Sequence, residues 1–137
     1  MPSFLFAYGT LLPGKAPARI APTVRRLRLV GRGEVRGRLY DLGAYPGAVL
    51  GRVSSVIAGQ IYQLPVSPEV LRRLDEYEGF DPADPQNSLF VRKRWPVTLQ
   101  SARKRIMCWV YTYNRPPAVA PRLAGGDFAK MRNAGRR

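Results

Sequence analysis

The sequence contains no histidine and a single cysteine, Cys108, so any acid–base group must be Asp, Glu, Tyr, Lys or that thiol. The Ser-His-Asp and Cys-His arrangements of nucleophilic catalysis are excluded. So are an intramolecular disulfide and the usual Cys/His zinc site. Cys108 lies between Met107 and Trp109 in an apolar run with no clear activator beside it, which reads as a buried, inert thiol. The acids are scarce, nine against 23 Lys plus Arg, and they are concentrated. Asp75, Glu76, Glu78, Asp81 and Asp84 share one short segment without Lys or Arg.

Glu78 stands apart within that segment. At about 100° per residue, Val70, Leu71, Leu74 and Tyr77 occupy one helical face, and Glu78 lies with them, one turn beyond Leu74. Glu69, Arg72, Arg73 and Glu76 lie on the other side and can pair in water. A glutamate turned inward loses hydration, its pKa rises, and it becomes able to exchange protons near neutral pH. A structural reading stands beside this one: a glutamate at a helix end bends out to solvent or pairs with an arginine.

The second candidate is the loop Tyr8-Gly9-Thr10-Leu11, directly after a short apolar strand. Gly9 allows a sharp turn and close approach of a ligand to the backbone. Consecutive amides in such a turn can hold an anion or a developing oxyanion. A strand ending in Tyr-Gly is also an ordinary turn.

These candidates must be positioned by a strand-rich chain. Phe4–Ala7 reads as a buried strand. Residues 12–22 form a Pro- and Gly-rich loop with at most one helical turn. Strands are expected at 27–30 and 34–40, with Tyr45-Pro46-Gly47 as a turn. A further strand is expected at 53–64. Ser67-Pro68 opens a helix that runs to Tyr77 or Glu78 and stops at Gly79. Two more strands, 89–99 and 105–113, precede the Pro-rich segment 116–137, where Gly125-Gly126-Asp127 suits the start of a short helix or tail. Many strands with one clear helix predict an α+β class built on a small β-barrel with a few flanking helices. The 137 residues suit one domain, 1–137.

The formal charge of +14 is spread over the chain outside the acidic segment. Such a surface attracts nucleic acid and anionic membranes without specificity. No apolar run approaches the roughly 20 residues of a membrane span. MPSFLFAYGTLLPGK lacks a basic region before its apolar stretch, so it reads as strand and loop, and a cytoplasmic location is expected.

Taken together, several segments resemble the γ-glutamylcyclotransferase-like family. They are Phe6-Ala7-Tyr8-Gly9-Thr10-Leu11, the run Gly37 to Gly47, Leu74-Asp75-Glu76-Tyr77-Glu78-Gly79-Phe80, Val110-Tyr111-Thr112-Tyr113 and Gly126-Asp127-Phe128. The resemblance implies a compact α+β barrel with a pocket at one end. It also implies an enzyme that cyclises a γ-glutamyl amine or amide to 5-oxoproline and releases the amine. In that reading Glu78 is the general acid/base and backbone amides of Tyr8, Gly9, Thr10 and Leu11 hold substrate. No cofactor or metal is required. The expected partner is a small γ-glutamyl substrate, with no specific nucleic acid and no membrane, and the protein is expected to be a monomer or weak dimer. Tyr45 and Tyr111 can line the pocket or simply fill core. Phe90 stands where many relatives carry tyrosine, which removes a hydroxyl. The high basic charge is also unusual for the family. The alternatives are a basic nucleic-acid-binding β-barrel, with Phe90 and Trp95 among Arg92, Lys93 and Arg94, and a non-catalytic metabolite-binding member of the same fold.

Overall fold

The structure is a computed structural model and describes residues 2–9, 16–43 and 45–115. Its first strand, β1 (Ser3–Ala7), pairs antiparallel with β4 (Val56–Leu64) and parallel with β6 (Lys104–Tyr113). The long β2 (Arg28–Asp41) lies beside β4 and carries the short β3 (Pro46–Leu50) on its other half. β5 (Phe90–Leu99) forms a hairpin with β6. Two residue pairs, Gly33 with Leu99 and Glu34 with Thr98, join β5 back to β2 and close a five-stranded ring, with β3 attached at its side. Closure removes the exposed edges that an open sheet of this size presents.

Strand β2 shows how the sequence reads as barrel wall. Gly33, Val35, Gly37 and Leu39 are buried while Arg32, Arg36 and Arg38 are exposed, the period of two expected of a strand with one wet face. The two separate strands expected here are one, interrupted by a register shift between Leu29 and Gly31. β1 differs because both of its faces are covered. Phe6 and Tyr8 point into the barrel with Val35, Leu39, Ile57, Ile61, Val97 and Val110. Leu5 and Ala7 point the other way, into a second core with Val70 and Leu74 of the main helix. A strand buried on both sides needs a continuous apolar run, which Phe4–Ala7 supplies.

That helix, α2 (Pro68–Glu78), begins after Ser67 and ends at Gly79, whose φ of 75° is left-handed. Gly79 and Phe80 donate back to Glu76 and Asp75, satisfying the last-turn carbonyls. Val70 and Leu74 are fully buried, each contributing about 1.5–3 kcal/mol of apolar burial. A single turn of helix, α1 (Ala21–Val24), packs beside it.

The turn expected at Tyr45-Pro46-Gly47 lies earlier in the chain. Gly43 carries the positive φ, 101°, its amide donates to Asp41 Oδ1, and Leu42 N donates to Tyr45 O. Pro46 and Gly47 already belong to β3. A proline is tolerated there because it is the first residue of a strand that pairs on one side with β2. Among the described residues, no helix is long and apolar enough to cross a membrane. The segment 116–137, with its expected tail helix and Gly126-Asp127-Phe128, lies outside the described residues.

Candidate active site

The carboxyl ends of β1, β6 and α2 converge with the start of β3. There Phe6, Ala7, Tyr8, Gly9, Pro46, Tyr111 and Glu78 line one narrow cleft. Glu78 is thus brought to Tyr8 and Gly9, some 70 residues away along the chain. Thr10 and Leu11, the rest of the expected binding loop, lie outside the described residues.

Glu78 is half-buried, and loss of hydration pushes its carboxyl up to about 7 from the ordinary value of 4.5. It therefore exchanges protons at neutral pH, where an ordinary glutamate is a fixed anion. Glu78 also borders a second cavity of about 210 Å³, with Arg19, Tyr45, Tyr77, Gly79, Leu89 and Phe90. Glu78 thus lines both a cleft of about 20 Å³, the room of one water, and this larger space. Phe90 is buried there, its ring edge-on to Tyr45 at 5.8 Å and to Tyr113 at 5.7 Å.

A buried hydrogen-bond chain holds the cleft in shape. Ala48 N–H donates to Tyr8 Oη at 3.1 Å, and Tyr8 Oη–H donates to the Tyr111 carbonyl at 2.5 Å. Tyr111 Oη–H donates to Asp75 Oδ1 at 2.6 Å, and Arg92 grips Asp75 through Nε at 2.8 Å and a terminal nitrogen at 3.0 Å. The guanidinium lies over Trp109 at 4.2 Å and Phe80 at 5.5 Å. Burial, reinforced by the neighbouring Glu78 carboxylate, pushes the Tyr8 phenol far above the ordinary tyrosine range. For Tyr111, burial and the hydrogen bond to Asp75 act in the same direction. Both phenols are therefore neutral and occupied with scaffold bonds, so at Tyr8 the main chain is the part left to meet a ligand.

Sequence pattern alone misses Asp75, Arg92, Pro46 and the scaffold role of Tyr111. The available signal was Asp75 at four residues from Leu71, which places it on the packed side of α2. Cys108 is buried, its thiol is pushed up to about 12 by burial, and it faces the barrel interior away from this cleft.

Gly9 is required here for space. Its φ is not in the left-handed region, but a Cβ would stand 2.9 Å from Pro46 Cγ and 3.0 Å from Cδ. The proline ring cannot swing aside as a flexible side chain does. Gly9→Ala is expected to displace the turn and lower kcat/KM about 100-fold, the cost of roughly 1 Å of misplacement, while the fold is retained. Steady-state kinetics with circular dichroism check this, and unchanged kcat/KM would remove Gly9 from the site.

These features define a class: a small closed β-barrel with a desolvated glutamate facing a strand-end turn. Residues 5–130 match the family described as gamma-glutamyl cyclotransferase, AIG2-like, and the chain belongs to that family. No curated protein sequence matches it. Among solved structures it is similar to YkqA from Bacillus subtilis, with TM-score 0.75 and 17% identity over 99% of this chain. The chain spans 43% of YkqA. It is also similar to an AIG2-like protein from Mus musculus, with TM-score 0.71 and 20% identity over 93% of this chain and 88% of that one. A structure titled gamma-glutamyl cyclotransferase matches with TM-score 0.59 and 17% identity, over 82% of this chain and 67% of that one. At these identities the likeness is one of fold.

Proposed function

We propose that the protein converts a γ-glutamyl amine or amide into 5-oxoproline and the free amine, with Glu78 as general acid/base. The observation that carries this reading is the desolvated Glu78 carboxyl in one cleft with the Tyr8–Gly9 turn. The substrate's α-nitrogen attacks its own γ-carbonyl carbon, so the nucleophile is tethered and the enzyme must chiefly fold the chain and move protons. Glu78 takes a proton from the α-ammonium. The new C–N bond closes a five-membered ring, and Glu78 delivers its proton to the departing nitrogen as the C–N bond to it breaks. The ring nitrogen gives up its second proton to the released amine or to water, leaving the lactam N–H of 5-oxoproline and the free amine. Amides of Gly9, Thr10 and Leu11 hold the substrate carboxylate or the oxyanion, for which one lost donor typically costs about 10²–10³ in rate.

The narrow cleft is too small for the whole substrate, so the substituent of the departing amine extends into the second cavity that Glu78 also lines. Because the attacking and departing nitrogens are bonded to the same carbon in the tetrahedral intermediate, one carboxylate beside that carbon can reach both, as a single proton shuttle requires. Phe90 supplies an apolar wall to that space and no hydroxyl. Catalysis needs no metal in this scheme.

The test is 5-oxoproline release from a panel of γ-glutamyl compounds, including γ-glutamyl amino acids, glutathione and γ-glutamyl-ε-lysine, with chelator present throughout. Turnover of at least one compound is expected. If none is turned over but 5-oxoproline or a γ-glutamyl compound binds, the protein is a metabolite-binding member of the fold. Activity that requires an added metal would overturn the shuttle as written.

A further inference from the structure

A separate groove opens at the opposite end of the barrel from Glu78. β6 begins beside it at Lys104–Arg105 and ends at the cleft, whereas β3 begins at the cleft and ends beside the groove at Leu50. The groove is about 690 Å³ and shares no lining residue with the cleft. Its origin is topological. β2 and β5 pair only at Gly33–Leu99 and Glu34–Thr98, and past these pairs the strands part. Between them Trp95 is left half-buried, packed against the barrel core yet lining the opening with Val35 and Pro96.

The walls are cationic. Arg36, Arg52 and Arg105 are exposed and line the groove. Among the described residues its one acid, Glu34, is engaged by the Gln100 side-chain amide. Arg36 touches the Val53 carbonyl at a long 3.5 Å, and neither Arg52 nor Arg105 meets a carboxylate among the described residues. The basic surface continues past the groove, because Arg38 follows Arg36 on the outward face of β2. Same-face residues on a strand lie about 6.6 Å apart, close to the separation of successive phosphates in an extended single strand.

We propose that this groove binds single-stranded nucleic acid, with phosphates on Arg36, Arg52 and Arg105 and a base against Trp95. An aromatic floor with a cationic wall is the chemistry of sequence-tolerant single-strand binding, since every base has a stacking face and every nucleotide a phosphate. A compact acidic metabolite would leave the row beyond Arg36 unused. A duplex hides its base faces from Trp95. The whole-chain charge of +14 brings polyanions to the surface, and the groove gives one of them a place.

The test uses the full chain and fluorescein-labelled oligo-dT and oligo-rU of about 15 nucleotides, titrated by anisotropy over a range of salt. Binding to both is expected, with quenching of tryptophan emission that survives Trp109→Phe and is lost in Trp95→Phe. Replacing Arg36, Arg52 and Arg105 together by alanine should weaken binding at least tenfold. It should also reduce the slope of log K against log salt by about 2, as expected for three phosphate contacts on a single strand. All three arginines are exposed, so the fold and 5-oxoproline release should be unchanged. A control with Arg25, Arg26 and Arg72 replaced should keep most of the affinity. The proposal is overturned if the control loses as much as the groove variant, or if duplex DNA of equal length binds as tightly. Equal affinity for polyglutamate, or no quenching of Trp95, would also overturn it.

Discussion

Glu78→Gln is expected to lower kcat by about 10²–10⁴, the range that positioned general acid–base groups contribute. Size and hydrogen-bonding shape are retained and only the titrating proton is lost. As the base that starts the reaction, Glu78 must be ionised, so wild-type kcat/KM should rise with pH through a midpoint near 7. The variant's residual rate should lack that inflection.

Stability should move in the opposite sense. The folded-state value, about 7, is raised above the ordinary 4.5, so the folded protein binds more protons than the unfolded chain between these values. By linkage the wild type is most stable, as far as this group is concerned, below pH 4.5, and loses stability as pH rises to about 7. The loss approaches roughly 3 kcal/mol in order of magnitude. Glutamine has no charge to desolvate, so the variant should match the wild type at pH 4 and exceed it at pH 8. Urea denaturation at the two pH values, alongside 5-oxoproline assays, checks both halves. Near-wild-type turnover would end the proposed role of Glu78. A variant less stable than the wild type at pH 8 would mean that the carboxylate is held by interactions favouring its charge.

Arg92→Met and Asp75→Asn should each destabilise the fold by about 3–5 kcal/mol, because either change leaves the other member of a buried ion pair without its partner. For Asp75, the Tyr111 hydroxyl also loses its charged acceptor. The pair is largely buried on both sides, so solvent screens it little. The double variant should lose clearly less than the sum of the two single ones, since members of one network are not additive. Chemical denaturation of the four proteins measures this. Losses below about 1 kcal/mol would place the pair in the class of weak surface bridges. The network fixes α2 against β5 and β6 one turn before Glu78, so a folded Asp75→Asn should also lose kcat through misplacement of that carboxylate, even though Asp75 does not line the cleft.

Local pattern determined much of this protein. The bounds of α2 follow from Ser67-Pro68 and Gly79, two residues whose backbone preferences act within a turn of themselves. The inside and outside of β2 follow from strict alternation, and the inward lean of Glu78 from its register with Val70 and Leu74. The absence of histidine limited the chemistry before any fold was known. What lay beyond the sequence was decided by contacts between distant residues. Pro46 and Gly47 carry the local signature of a turn, yet pairing with Tyr40 and Asp41 makes them a strand. Asp75 looks like one more acid in an acidic run, and only the arrival of Arg92 and Tyr111 from β5 and β6 makes it the buried anchor of the helix. Closure of the barrel rests on two residue pairs between β2 and β5, which no periodicity in either strand marks. That closure sets the cleft at one end and the arginine-lined groove at the other. Periodicity fixes which way a side chain faces relative to its own backbone, whereas ring closure and burial depend on which segments meet, and that is settled by the energy of the whole packed arrangement.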